Sequence, residues 1–354
     1  MNRFWTEVIE PLARAAQPKI MVEVGSDYGV GTEKLLGLCK STGALLHVVD
    51  PVPKYDADEW SARWGDSLVF HRELSLDALP RIGPMDFVLL DGDHNWYTVR
   101  HELEVIYEQT VAAGHPFPLI LLHDVGWPYG RRDLYYDPET IPEEFRQPHA
   151  AIGILPDHSD LMPNRGMNGH HFNALSEGTP RNGVRTGIED FINDHDGAFT
   201  FRVLPVFFGL GILYRTADLK DGPVQAVLDT LSLSPALEEL FRRVERERVD
   251  LTVAHHERLA NFEVTQARIA SVERFIQNNQ VALGELGNKL HHTRRELAVT
   301  RRRLDIWEST MSVRIAVKLE RLVTTRAPGL ASFAKKAARR IRQRIHHMRS
   351  AKAG

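Results

Sequence analysis

Short apolar runs alternate with amphipathic stretches through the first 215 positions, and the two periodicities predict strands and helices in turn. Ile20–Gly25 (IMVEVG) is a buried run that ends on glycine, and a helix is expected over Thr32–Lys40. Leu45–Asp50 (LLHVVD) is a second run, stopped by Pro51 and Pro53, and Leu68–Leu74 a weaker third. Asp86–Asp93 (DFVLLDGD) is a fourth, followed by a helix over Tyr97–Ala112, and Pro118–Val125 (PLILLHDV) a fifth. Apolar strands separated by helices pack as a parallel sheet covered on both faces. Residues 126–180 break the rhythm. They are rich in Pro, Gly, Asn, His and aromatics, which predicts an ordered insertion or lid. A helix over Gly187–Asn193 and two successive strands, FRVLPVF and GLGILYR, then close the domain near Arg215 in an antiparallel finish.

The pattern changes beyond Ser234. Phe262, Ile269, Ile276, Leu283, Leu290, Leu297, Leu304 and Met311 recur at steps of seven, with Val272, Leu286 and Trp307 three positions later. Asn279, Thr265, Thr293 and Thr300 interrupt the seam. A period of seven held this long predicts a left-handed coiled coil and a homo-oligomer through it; the alternative is an amphipathic helix folded back on the domain. The expected organisation is a sheet domain over 1–216 with its insertion at 126–180, a linker over 217–236, a coil over 237–325 and a basic tail over 326–354. Pro328 and Gly329 break the coil before the tail.

Composition changes this picture little, but charge distribution adds to it. At 354 residues, with 43% hydrophobic and 26% charged positions, the chain reads as an ordinary soluble protein of two units. The net charge of −3 gives no sign of nucleic-acid binding. From Arg314 onward twelve Lys and Arg face a single acid, Glu320, so the tail carries +11 and the rest −14. An acidic body with a basic tail fits contact with an anionic membrane surface, and equally a solvated helix. The single cysteine, Cys39, excludes an intrachain disulfide. The N-terminal MNRFWTEVIEPLARAA reads as an amphipathic helix, and no run approaches the length of a bilayer span. The expected location is cytoplasmic, on the membrane face if the tail binds it.

Candidate chemistry starts at the first strand-turn-helix, Val22-Glu23-Val24-Gly25-Ser26-Asp27-Tyr28-Gly29-Val30-Gly31-Thr32. Gly25, Gly29 and Gly31 let the backbone turn tightly beside a ligand, with Ser26 and Asp27 between them. The spacing is G-x-x-x-G-x-G, unlike the dinucleotide fingerprint. Glu23 lies inside the strand, where its carboxylate suits the amino group of S-adenosylmethionine, a cation that NAD lacks. Asp50 ends the second strand where an acid accepts from ribose hydroxyls; its other reading is a turn before Pro51. Ser75, after the third strand, is the candidate for the adenine end. Two adjacent strands deliver Asp91 and the pair His123-Asp124 to one sheet edge, and carboxylates gathered there call for a cation.

The segments VEVGSDYGVGT, HVVDP, FVLLDGDHNWYTVRHEL and LILLHDV resemble class I methyltransferases, specifically the metal-dependent O-methyltransferase group. That group includes catechol-type enzymes and enzymes that methylate sugars of macrolide and aminocoumarin antibiotics. The resemblance spans residues 15–215. It implies an α/β, Rossmann-like methyltransferase fold with a mostly parallel seven-stranded sheet, here followed by the helical coiled coil. It also implies S-adenosylmethionine as cofactor, with Asp91 touching it, and a divalent metal, Mg²⁺ first, on Asp91, His123 and Asp124. His123 departs from the acid usual at its position, which would favour Mn²⁺ or a softer ion. Asp93 and His94 each match a position used as catalytic base in a different branch, and the bland role for both is capping the helix near Asn95.

The insertion places Trp127, Tyr129, Arg131, Arg132, Tyr135, Tyr136 and Asp137 just after the metal strand. Aromatic faces stack on sugars and arginines pair with phosphate or carboxylate, so this set is the candidate acceptor site. A self-packed lid is the other reading. His170 and His171 are further candidates for the pocket. A coil followed by a basic segment resembles tails on bacterial cell-envelope glycan enzymes. The reading is therefore O-methylation of a sugar or glycan hydroxyl, on a surface polysaccharide or glycolipid. Two alternatives stand beside it: a non-catalytic scaffold that oligomerises through the coil, and an NAD-dependent sugar oxidoreductase.

Overall fold

The computed structural model describes residues 1–163, 165–219, 222–278 and 283–326, with isolated positions beyond 334. Two compact units emerge, Met1–Glu257 and Arg258–Gly354. In the first, the N-terminal helix α1 (Glu10–Ala16) precedes the alternating units β1 (Ile20–Val24), α2 (Val30–Thr42), β2 (Leu45–Val49), α3 (Ala57–Trp64), β3 (Leu68–His71), α4 (Ser75–Ile82), β4 (Phe87–Leu90), α5 (Trp96–Gln109) and β5 (Leu119–His123). The insertion carries β6 (Leu134–Tyr135), β7 (His149–Ala150) and β8 (Phe172–Ala174), and α6 (Val184–Asp194), β9 (Phe199–Leu204) and β10 (Leu210–Arg215) complete the domain.

The seven-stranded sheet runs β3-β2-β1-β4-β5-β10-β9. β1 to β5 pair in parallel, and β10 enters antiparallel between β5 and β9. This is the Rossmann-like methyltransferase arrangement that the resemblance implies. The near-continuous apolar strands explain it, because both faces are covered. One core layer joins Leu12, Leu35, Leu36, Phe87 and Leu121 under α1 and α2. The other joins Val22, Val88, Leu103, Ile120 and Ile188 under α4, α5 and α6. Strand order reverses at β1, which has β2 on one side and β4 on the other. The crevice for ligands in such sheets opens there, beyond the carboxyl ends of the strands.

The insertion is more regular than its composition implies. β6, β8 and β7 form a small antiparallel sheet, held by a buried polar network. The Asp133 carboxylate accepts from Trp96 N at 2.7 Å, Gly183 N at 2.6 Å and the Tyr135 hydroxyl at 2.8 Å. A further apolar cluster joins Tyr129, Leu134, Ile154 and Met167 of the insertion to Val249 and Val253.

Those two valines lie on α8 (Pro235–Asn278), and their burial moves the domain boundary. The compact unit continues to Glu257, well beyond the expected end at 216. The stretch read as a linker carries α7 (Pro223–Thr230), whose Val224 and Leu228 are buried, and the first turns of the expected coil belong to the globular unit.

The second unit holds the rest of α8 and α9 (Leu283–Arg326). The Arg258 guanidinium stands 4.9 Å from the Trp307 ring and that of Arg301 5.5 Å from Phe262. Glu273 pairs with Arg294. As one partner's number rises the other's falls, so the two helices run antiparallel within the chain, rather than as one uninterrupted coil over 237–325. Asn279, the expected Pro328-Gly329 break and most of the expected basic tail lie outside the described residues. Among the described residues no helix is long and apolar enough to cross a membrane.

Candidate active site

The first glycine is demanded by a close approach. Gly25 holds φ +84°, and a Cβ there would sit 2.3 Å from the carbonyl oxygen of Asp91. The exits of β1 and β4 therefore abut, and only glycine allows it. Gly29 (φ +75°) faces Trp60 and Tyr55 instead. Asp50 organises this loop. Its Oδ2 accepts from Ser26 N and Ser26 Oγ at 2.8 Å and from Asp27 N at 3.1 Å, while Oδ1 accepts from Val52 N at 2.9 Å. The last contact is the turn before the prolines. The carboxylate thus shapes the loop from behind.

A cavity of about 680 Å³ opens at the switch point. Glu23, Gly25, Ser26, Asp27, Gly31 and Asp91 line one side of it, whereas Gly29, Asp50 and Ser75 stand outside its wall. Glu23 is the informative member. It is 6% exposed, and its Oε2 has no hydrogen-bond partner. Burial, with Asp91 nearby, pushes its carboxyl up to about 8. A buried acid without a donor is costly unless a cationic group arrives.

Four groups converge between the two sides of the cavity. One ligand atom from each of Asp91, His94, His123 and Asp124 lies within 4.8 Å of the others. His123 Nδ1 is 3.1 Å from Asp91 and 3.2 Å from Asp124, and His94 Nε2 is 2.6 Å from Asp124. The Met1 amino group donates to Asp91 at 2.6 Å. Burial opposes ionisation of both acids, but the imidazoles beside them hold Asp91 and Asp124 well below the usual carboxylate range. The same pairing raises the imidazoles, His123 to about 9. Asp124 also holds φ +57°, uncommon for a residue with a Cβ and frequent at functional sites.

His123 has a defined orientation. Its Nε2 lies 3.1 Å from the Phe207 carbonyl, which can only accept, so Nε2 carries a proton. With the ring raised to about 9, Nδ1 also carries a proton in the metal-free chain and donates it toward the two carboxylates. A divalent cation would take the place of that proton, the ring being held by its outer partner as metal-binding imidazoles are. The donor set of two carboxylates and one imidazole, backed in this way, fits a divalent metal.

The two base candidates separate. His94 lines the cavity. Asp93 does not; it accepts from Thr98 Oγ1 at 3.1 Å, while Asn95 caps α5 through Thr98 N at 2.8 Å. Of the candidate acceptor residues Tyr129, Tyr136 and His171 reach the cavity. Arg132 is 1% exposed and donates to Ala174 O, Ser159 O and Glu177. Arg131 is bound to Thr186 and Glu189, Tyr135 to Asp133, and Trp127 packs into the insertion's cluster. Trp127, Arg132 and Tyr135 find their partners within the lid, and Arg131 ties it to α6. The acceptor side is formed by Tyr129, Tyr136 and His171, joined by Met167, Asn168 and Phe208. Met167, Asn168 and Phe208 were missed, because apolar and amide side chains give no local signal of a pocket.

No family model and no curated protein matches the chain. Among solved structures it is similar to an SAH-bound methyltransferase from Podospora anserina, at 17% identity over 58% of this chain and 76% of that one, with a TM-score of 0.37. It is also similar to the 1,6-didemethyltoxoflavin-N1-methyltransferase of Burkholderia thailandensis, at 13% identity over 60% of this chain and 80% of that one, with a TM-score of 0.32. A third, human N-acetylserotonin methyltransferase in complex with SAM, shows 14% identity over 60% of this chain and 53% of that one, TM-score 0.32.

Proposed function

We propose that the chain is an S-adenosylmethionine-dependent, metal-assisted O-methyltransferase acting on a hydroxyl of a sugar or glycan. The observation that carries this reading is the buried Glu23 carboxylate, whose Oε2 has no hydrogen-bond partner, facing the same cavity as the Asp91-His94-His123-Asp124 cluster. Glu23 accepts the cofactor's amino group, and Gly25 to Gly31 give its backbone room. Asp91, His123 and Asp124 would hold a divalent cation, which would lower the pKa of an acceptor hydroxyl. Asp124, 2.6 Å from His94, keeps this ring protonated in the ligand-free chain; a cation neutralising Asp124 would release that proton, and the neutral ring could then take the hydroxyl proton as the methyl group passes from the sulfonium sulfur to the oxygen. Tyr129 and Tyr136 offer ring faces to the acceptor, and Asn168 a polar edge. With Arg131 and Arg132 committed to the lid, a neutral hydroxyl acceptor is favoured over a phosphate-bearing one.

The test is calorimetric titration of S-adenosylmethionine, followed by radiolabelled methyl transfer to methyl glycosides, oligosaccharides and catechol with Mg²⁺ or Mn²⁺. Binding and transfer to a sugar are expected, and His94→Ala should lower kcat by about 10²–10⁴-fold. Asp93→Ala should cost far less. No cofactor binding under any condition would return the chain to the scaffold reading, and transfer to catechol alone would remove the glycan.

A further inference from the structure

α8 contributes to the site from behind. Glu245 on this helix accepts from Phe207 N at 2.8 Å through Oε2 and from Phe208 N at 2.7 Å through Oε1. Arg248, one turn along, donates to the same two oxygens at 2.7 and 2.6 Å. Its guanidinium lies 4.4 Å from the Phe208 ring and 5.7 Å from that of Phe207. The gripped turn is unusual: Phe207 and Phe208 hold φ +52° and +70°, a region that bulky side chains avoid. Such a conformation persists only where its surroundings impose it. Both carbonyls of the turn face the site's scaffold. Phe207 O receives His123 Nε2 at 3.1 Å, and Phe208 O receives Gly126 N at 2.7 Å.

We infer that Glu245 is a positioning residue for the metal centre: by gripping the Phe207-Phe208 turn it keeps the Phe207 carbonyl on His123 Nε2 and leaves Nδ1 turned toward Asp91 and Asp124. The inference rests on the metal reading above. It gives the start of α8, outside the residues that resemble a methyltransferase, a share in the site's chemistry. The bland alternative is that Glu245 merely docks the helix, a role shared with Val249 and Val253, which are buried on the same helix.

Mn²⁺ titration of the full chain, read by the electron paramagnetic resonance of the free ion, separates the two. Glu245→Ala should weaken Mn²⁺ binding by about 10- to 100-fold, the usual cost of losing an outer partner of a ligand. Glu245→Gln, which still accepts one of the two amides, should fall between. S-adenosylmethionine affinity measured without metal should change less than about twofold in both, since Glu23 and the glycine loop are untouched. Val249→Ala should lower the melting temperature yet leave Mn²⁺ affinity within about twofold. Equal Mn²⁺ affinity in Glu245→Gln and wild type, or equal losses in Val249→Ala and the Glu245 variants, overturns the positioning role while sparing the metal site. A wild-type chain that binds no Mn²⁺ overturns the metal reading and this inference together.

Discussion

Glu23→Gln is expected to stabilise the ligand-free protein at about pH 8 while weakening S-adenosylmethionine binding. Burial holds the Glu23 carboxyl at about 8, against 4.5 for the free side chain. Between those values the folded chain keeps a proton that the unfolded chain has lost. The contribution is therefore fully present below about pH 4.5 and declines as pH rises through about 8. Its full loss is on the order of 5 kcal/mol. Glutamine keeps the shape and cannot ionise, so the variant should lack this part of the decline. Glu102 behaves in the same way, buried and raised to about 8, so the decline does not vanish. Urea unfolding at about pH 5 and pH 8 measures the difference; parallel curves for variant and wild type would sink the account. The same substitution removes the negative partner of the cofactor's amino group, a charged hydrogen bond whose loss costs about 10- to 100-fold in affinity. Cofactor binding to the wild type should release a proton, because the arriving cation favours the ionised carboxylate. Calorimetry in two buffers of different ionisation heat detects it.

Metal affinity should climb steeply with pH. Burial alone would push the His123 imidazole down, but Asp91 and Asp124 outweigh it and raise it to about 9. A metal ion must displace that proton, so affinity should rise by up to about tenfold per pH unit from about 7 and level off above about 9. The ion pairs work in the opposite sense. A group raised in the fold stabilises fully below its unfolded value, 6.5, and loses that contribution as pH rises through about 9. The metal-free chain therefore weakens in the range where the metal binds best, and thermal stabilisation by Mg²⁺ or Mn²⁺ should grow across it. Titrations at three pH values check the slope. A flat profile in the wild type, or a slope that survives His123→Ala, would remove His123 from the metal's ligands.

Much of the sheet domain was legible because its signals are local. Ile20–Val24, Phe87–Leu90 and Leu119–His123 are apolar throughout, and such runs between helices leave few alternatives to a covered parallel sheet. Asp91, His123 and Asp124 follow directly from strand ends, so placing the strands placed them. His94 and Asp93, adjacent in sequence, were inseparable until Thr98 and Asp124 claimed one each. Arg132 and Tyr135 misled because their residue types suit a ligand as well as a lid; only the partners Ala174, Glu177 and Asp133 decide between the two.

What the chain determined by itself was the order of strands and helices, the glycine loop, the acids at the sheet edge and a heptad seam that demands a helical partner. Periodicity and residue type act over a few positions, and those features need no more. The tertiary structure decided which side chains share the cavity, that β10 enters antiparallel beside β5, and that α8 and α9 meet within one chain. It also decided that Glu245 reaches the turn behind His123, 122 positions away along the chain. A heptad seam specifies that an apolar face must be covered and says nothing about whose helix covers it. A half-buried carboxylate likewise acquires its role from the amides that the fold happens to bring within 3 Å.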